Sequence, residues 1–214
     1  MTIKKIIDKS LQKLESFDVN LVLPELELAN EGAIADVLNR TSCGYYQFTP
    51  GLIDELKPRQ IVELGGAMGV WDICVMAGTT YKDFDLWSIT LPENGLEFSY
   101  ITSEQQEKWP NMHLVLGDDL NLNNWPKKLD LHKTDLYFFD SDHREDQLRA
   151  EIELYKQFFK PGNVLLFDDI FLERDGQKMQ NVWNDMENLF PVAFKQNLGN
   201  PLHWSGYGIV QIGE

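Results

Sequence analysis

Gln60-Ile-Val-Glu-Leu-Gly-Gly-Ala-Met-Gly-Val-Trp-Asp-Ile-Cys-Val-Met-Ala-Gly78 decides how the chain folds. Ile61, Val62 and Leu64 make an apolar run too short for a helix and rich in β-branched residues, the mark of a buried strand. Gly65-Gly66-Ala67-Met68-Gly69 follows, and Val70, Ile73, Cys74 and Ala77 then recur at helical spacing. A strand, a glycine turn and a helix in that order let a ligand approach the backbone and aim free helix N–H groups at it.

Downstream of this unit the pattern alternates. Strands are expected over residues 85–90, 113–116, 135–140 and 163–167, and near 192–197 and 207–212. Helices are expected over 103–109, over 145–159 and within 176–190. Alternation of this kind gives a mainly parallel sheet in three layers, with ligands beyond the carboxyl ends of the strands where strand order reverses. Upstream, Ile3, Ile6, Ile7, Ser10, Leu11, Leu14 and Phe17 share one helical face. That face is expected to pack on the sheet, with a contact between two copies as the alternative. A second helix is expected from about 27 to 38, then a loop over 40–48. Thr49 is expected to cap a helix with Pro50 at its first position, ended by Pro58 after Lys57. The chain thus divides into an N-terminal helical cap, 1–48, and a main domain, 49–214.

Composition narrows the function. The 214 residues carry 19 basic and 34 acidic side chains, a net charge of −15 that repels polyanions and disfavours nucleic acid or an anionic membrane as partner. The N-terminal stretch has no apolar core of a signal peptide, and no apolar run reaches the length of a membrane span. Cys43 and Cys74 are too few for a disulfide framework, so the expected location is cytoplasmic.

Counting from Gly65, a dinucleotide fingerprint would need glycines where Ala67 and Val70 stand. Glu63 instead lies two residues before Gly65, and Gly69 four after it. This E-x-G-x-x-x-G pattern resembles the first motif of class I S-adenosylmethionine (SAM)-dependent methyltransferases. The resemblance implies an α/β fold: a three-layer Rossmann-like, seven-stranded sheet, mainly parallel, with an antiparallel last strand. It also implies SAM over Gly65, Gly66 and Gly69, with the Glu63 carboxylate facing the cationic cofactor. Ala67 stands where the family often has glycine. Thr90 stands where the second strand usually ends in an acid for the ribose, so Glu93 in the next loop is the candidate replacement. Asp118 and Asp119 match the segment that reaches the adenine, Asp118 being preferred and Asp119 nearly as readable as merely solvated.

The sharper signal is Phe139-Asp140-Ser141-Asp142-His143 followed, past a helix, by Leu166-Phe167-Asp168-Asp169. Neighbouring strands would bring Asp140, Asp168 and Asp169 to one edge. Two bare carboxylates about 4 Å apart repel by roughly 4 kcal/mol at an effective dielectric near 20. A shared proton, a basic side chain or a metal must offset that. Helix caps account for one aspartate per strand, but not for the paired acids as well. An all-oxygen cluster suits Mg²⁺ before Ca²⁺ or Mn²⁺ and matches zinc poorly, and no pair of histidines stands beside it in sequence to suggest iron.

Asp140-Ser-Asp-His143, Lys160-Pro-Gly162, Asp168-Asp-Ile170 and Val182-Trp183 are similar to metal-dependent small-molecule O-methyltransferases, closest to the macrocin-type sugar and cephalosporin-hydroxylase-like branch. The resemblance implies Asp140, Asp168 and Asp169 as metal ligands, with Asp140 also at the cofactor and in catalysis. His143 stands where catechol-type relatives place a lysine base; a structural histidine is the alternative. The expected cofactors are SAM and Mg²⁺, the expected partner a small-molecule acceptor, with a homo-oligomer open. A non-catalytic SAM-binding subunit and a nicotinamide oxidoreductase are the competing functions. Trp71 is expected to shape the methionine pocket or to pack. Tyr45, Tyr46 and Phe48 are expected to roof the cofactor or join the core, and His203-Trp204 to form a wall for the acceptor.

Overall fold

Seven strands alternate with helices along the chain in the computed structural model, which describes residues 1–27, 29–40, 43–92 and 96–214. The strands are β1 (Gln60–Leu64), β2 (Asp85–Thr90), β3 (Met112–Leu116), β4 (Leu136–Phe139), β5 (Val164–Phe167), β6 (Val192–Asn197) and β7 (Gly208–Ile212). Their order in the sheet is β3-β2-β1-β4-β5-β7-β6. Pairing is parallel from β3 through β5, while β7 runs antiparallel to both β5 and β6. The expected fold class is therefore the observed one. A separate two-stranded hairpin pairs Glu173–Arg174 with Gln177–Lys178, a feature absent from the sequence expectations.

The central strands are buried on both faces, which is why they read as unbroken apolar runs. Alternate side chains feed two cores. Ile61, Leu86, Leu136, Phe138 and Leu166 join the cluster under the helices α1 (Ile3–Glu15), α3 (Tyr45–Leu56) and α4 (Val70–Gly78). Val62, Leu64, Tyr137, Phe139 and Leu165 join the opposite cluster under α6 (Glu145–Tyr155) and α7 (Met179–Leu189). The remaining helices are α2 (Glu31–Leu38), α5 (Ser103–Lys108) and α8 (Gly199–Leu202). α5 starts on a reciprocal cap between Thr102 and Gln105, which satisfies two orphan N–H groups.

The N-terminal expectations need correcting. The apolar face of α1 is buried chiefly on α3, with Ile3, Ile6, Ile7 and Leu14 inside. α2 starts at Glu31, capped by the Asn30 side chain on Ala33 N–H, and not at 27. Residues 45–48 are helical and not loop, because α3 begins at Tyr45 and runs through Pro50. Thr49 is no N-cap; its Oγ1 donates back to the Tyr45 carbonyl. The helix does end at Lys57, in the left-handed region, just before Pro58. No helix among the described residues is long and apolar enough to cross a membrane.

Candidate active site at the carboxyl edge of the sheet

Strand order reverses between β1 and β4, and the two strands end side by side. Gly65 sits at that point with φ +100°, and a Cβ there would come within 2.1 Å of the Asp140 carbonyl oxygen. Only glycine allows the two strand ends to approach so closely. The Gly65 and Gly66 N–H groups both donate to the Ile89 carbonyl, so the turn is tied to β2 as well. Ala67 takes φ +42°, a conformation that costs an alanine roughly 1–2 kcal/mol and explains why glycine is common there in the methyltransferases this motif resembles.

Behind the turn lies a buried acid pair. Glu63 on β1 is 1% exposed and Asp72 on α4 is fully buried. Ser88 on β2 donates to Glu63 at 2.5 Å and approaches Asp72 at 3.5 Å. Burial, and for Glu63 the Asp72 charge, push both carboxyls up, Asp72 to about 7, so the pair holds a proton at neutral pH. Asp72 Oδ1 and the neighbouring Trp71 Nε1 are buried without a partner. An acceptor and a donor left open at a glycine turn fit the ammonium and carboxylate of an amino-acid group. Trp71 itself packs, with its ring stacked 4.7 Å from Phe138.

The chain after β2 closes one flank of the turn. Phe98 N–H donates to the Ala67 carbonyl and Tyr100 N–H to that of Met68. A Cβ on Gly66 would meet the Phe98 ring at 2.6 Å, and one on Gly69 the Ile101 side chain at 2.5 Å. Two clefts, of about 330 and 260 Å³, lie away from the turn, one at Pro24 to Lys108 and one at Leu56 to Pro58. Thr90 ends β2 half-buried, while Glu93 lies outside the described residues. After β3 the expected roles separate. Asp118 is exposed and accepts from Leu120 N–H. Asp119, readable as solvated in the sequence, is buried; its carboxylate accepts from Gln147 and burial lifts it to about 6.

β4 and β5 are neighbours, so Asp140, Asp168 and Asp169 reach one edge, with Asp168 between the other two and no single group of ligand atoms within 4.8 Å holding all three. The structure adds what ties them. His143, at φ +52°, donates from Nε2 to Asp140 Oδ1 at 2.7 Å and from Nδ1 to Asp169 Oδ2 at 2.7 Å. Burial works against its charge, but these two carboxylates raise its pKa to about 11, so it stands as an imidazolium. The basic side chain that three acids require is therefore His143. Burial opposes ionisation of Asp169 too, but the His143 bonds hold it below the ordinary carboxylate range. Asp168 goes the other way: burial first, then Asp140 and Asp169, push it well up. Its Oδ1 has no partner.

A second histidine enters the cluster, which the sequence reading did not foresee. His203 is 5% exposed, with Nε2 3.8 Å from Asp168 Oδ1 and Nδ1 3.5 Å from Asp169 Oδ1. Ser205 donates to Asp169 and lies 2.7 Å from His203 Nδ1. The signal was available: an antiparallel β7 begins where its parallel neighbours end, so the loop preceding it must lie on the site edge. The cluster is thus a mixed nitrogen and oxygen set, not all-oxygen. Two groups of donor atoms fall within 4.8 Å of one another, Asp140 with His143 and Asp168, and Asp168 with Asp169 and His203. Tyr45 is buried against His203, ring centres 5.2 Å apart, and Phe48 is core. Trp204 is exposed at the rim.

Three solved structures share this arrangement of strands and helices. A Podospora anserina methyltransferase bound to S-adenosylhomocysteine (SAH) superposes with a TM-score of 0.67 at 13% identity, over 100% of this chain and 98% of that one. This is the class I methyltransferase fold. A Bacillus cereus O-methyltransferase bound to SAH gives 0.60 at 17% identity, over 92% of this chain and 99% of its own. TomG of Streptomyces achromogenes, an O-methyltransferase in tomaymycin synthesis bound to SAM, gives 0.61 at 15%, over 94% and 99%. No protein-family model and no curated protein matches the sequence.

Proposed function

We propose that the protein is a SAM-dependent O-methyltransferase that methylates a hydroxyl of a small molecule, assisted by a divalent cation at the aspartate cluster. One observation carries the reading. The Asp140 backbone lies against Gly65 in the turn, while its side chain belongs to the acid cluster. A methyl donor on the turn and an acceptor at the cluster would therefore be neighbours.

In this reading Glu63 and Asp72 face the cationic end of the cofactor, and the open Trp71 N–H faces its carboxylate. SAM supplies a methyl group already activated by its sulfonium. The protein's task is to align an acceptor oxygen with that methyl and to take its proton, and alignment alone can be worth several kcal/mol. A cation held by Asp168 with Asp140 or Asp169 would lower the hydroxyl pKa. The buried, unpartnered Asp168 Oδ1 fits such a cation. His143 would be the group placed to receive the proton, once a cation has taken its two carboxylates and the imidazolium has released its own proton to solvent. Trp204 offers an exposed ring at the rim for the acceptor.

A non-catalytic SAM-binding subunit is the second reading, favoured by Phe98 and Ile101 on the turn and by the acids already tied to His143. Calorimetry with SAM and SAH tests what both share: no heat at high micromolar ligand removes both. Asp168→Asn separates them. The enzyme reading expects turnover to fall at least a hundredfold with SAM affinity kept, measured by methylated product in an acceptor screen. Unchanged turnover would overturn the role of Asp168, and no turnover on any acceptor would favour the subunit.

A further inference from the structure

Asp168 Oδ1 and His203 Nε2 face one another inside the protein, 3.8 Å apart and too far for a hydrogen bond. Ser205 spends its single hydroxyl proton on Asp169, so toward His203 it can only accept. His203 therefore carries its proton on Nδ1, and Nε2 turns its lone pair toward a carboxylate oxygen that is buried without a partner. A proton or a metal cation must lie between two such atoms, and 3.8 Å is too long for a shared proton.

We infer that His203 supplies a nitrogen ligand to the cation held by Asp168 and Asp169, and that the site is built for a first-row transition dication rather than for magnesium. The inference rests on the proposed cation site and deepens it. Ligand distances of about 2.0–2.2 Å put donor atoms about 3.0–4.4 Å apart around one ion, and a 3.8 Å gap lies within that span. The three donor groups all lie within 4.8 Å of one another. The hydrogen bond on the other ring nitrogen is the support a ligating histidine normally has, since it fixes tautomer and ring orientation together. Imidazole suits zinc, copper, iron or nickel, whereas magnesium prefers oxygen throughout. His143 is set apart by geometry: its two nitrogens lie 2.7 Å from Asp140 and Asp169, in hydrogen bonds that need a proton on each, whereas His203 Nε2 stands beyond hydrogen-bond distance of Asp168.

The test titrates metal-free protein with CoCl₂ and MgCl₂ by calorimetry, and records pulsed EPR of the Mn²⁺-loaded protein for coupling to a ligand nitrogen. Cobalt should bind at least about tenfold tighter than magnesium, and His203→Gln should bring the two within about threefold. Nitrogen coupling should be present in the wild type, persist in His143→Gln and vanish in His203→Gln. Should His203→Gln fail to fold, the wild type and His143→Gln decide: coupling in both supports the inference, and its loss in His143→Gln overturns it. Mn²⁺ bound without nitrogen coupling overturns the role of His203 and leaves the acid site standing. No binding of any of the three cations overturns both, and SAM calorimetry on the same sample then tells whether the cofactor reading survives.

Discussion

Glu63 and Asp72 are the two side chains whose environment contradicts their chemistry most directly: carboxyls sealed against one another in a core. Both are raised above their unfolded values, so between about pH 4 and 7 the folded protein keeps a proton that the unfolded chain has released. Their contribution to stability therefore declines as pH rises through that window. A bound cation reverses the preference by favouring the ionised pair. SAM binding is expected to release a proton, and its affinity to rise with pH from 5.5 to 7 by up to about tenfold per unit. Calorimetry in buffers of different ionisation enthalpy measures that proton directly. A pH-independent affinity with no proton release would mean that this pair does not face the cofactor. The acid pair was half legible: Glu63 stood out from its place before Gly65, whereas nothing in the spacing singled out Asp72. Burial on α4 opposite Glu63 is a packing outcome that spacing does not reveal.

At the scale of elements, the turn between β1 and α4 carries most of the argument, and glycine at 65 is required for a reason that can be isolated. Gly65 has φ +100° and the Asp140 carbonyl in the way of any Cβ. Gly162 has φ +92° and nothing within 4 Å. Alanine at 162 meets only the backbone penalty, about 1–2 kcal/mol. Gly65→Ala adds displacement of the β4 end and is expected to cost markedly more, with SAM affinity down at least tenfold, whereas Gly162→Ala leaves affinity unchanged. Thermal melts and calorimetry on the two variants compare them. Equal losses would show that close approach at the switch point is not what selects glycine. The strands were legible nearly to the residue because parallel strands buried on two faces are uninterrupted apolar runs. The start of α3 was not, because Pro50 looks like a first-turn residue. Here it sits inside the helix, where its missing N–H removes the bond to the Tyr46 carbonyl. His203 was hidden differently: its meaning came only from the direction of β7, sixty-odd positions along the chain from the aspartate that follows β4.

For the whole molecule, the proposed function makes a claim about linkage that needs no knowledge of the acceptor. A ligand that binds only the folded state stabilises it by an amount set by its concentration relative to its dissociation constant, about 2.7 kcal/mol at a hundredfold excess. For a chain of 214 residues, each kcal/mol moves the melting temperature by about 2–4 °C. SAH at a hundred times its dissociation constant should therefore raise Tm by about 5–10 °C, and NAD at the same concentration should leave it unmoved. The glycine count argues the same way, since Ala67 and Val70 stand where a dinucleotide turn needs glycine. A shift with NAD and none with SAH would transfer the sheet, unchanged in topology, to the oxidoreductase reading. The fold alone is compatible with either, because doubly wound sheets place many ligands at the same switch point. The carboxylates beside that point make the difference, and the melt reports which ligand they admit.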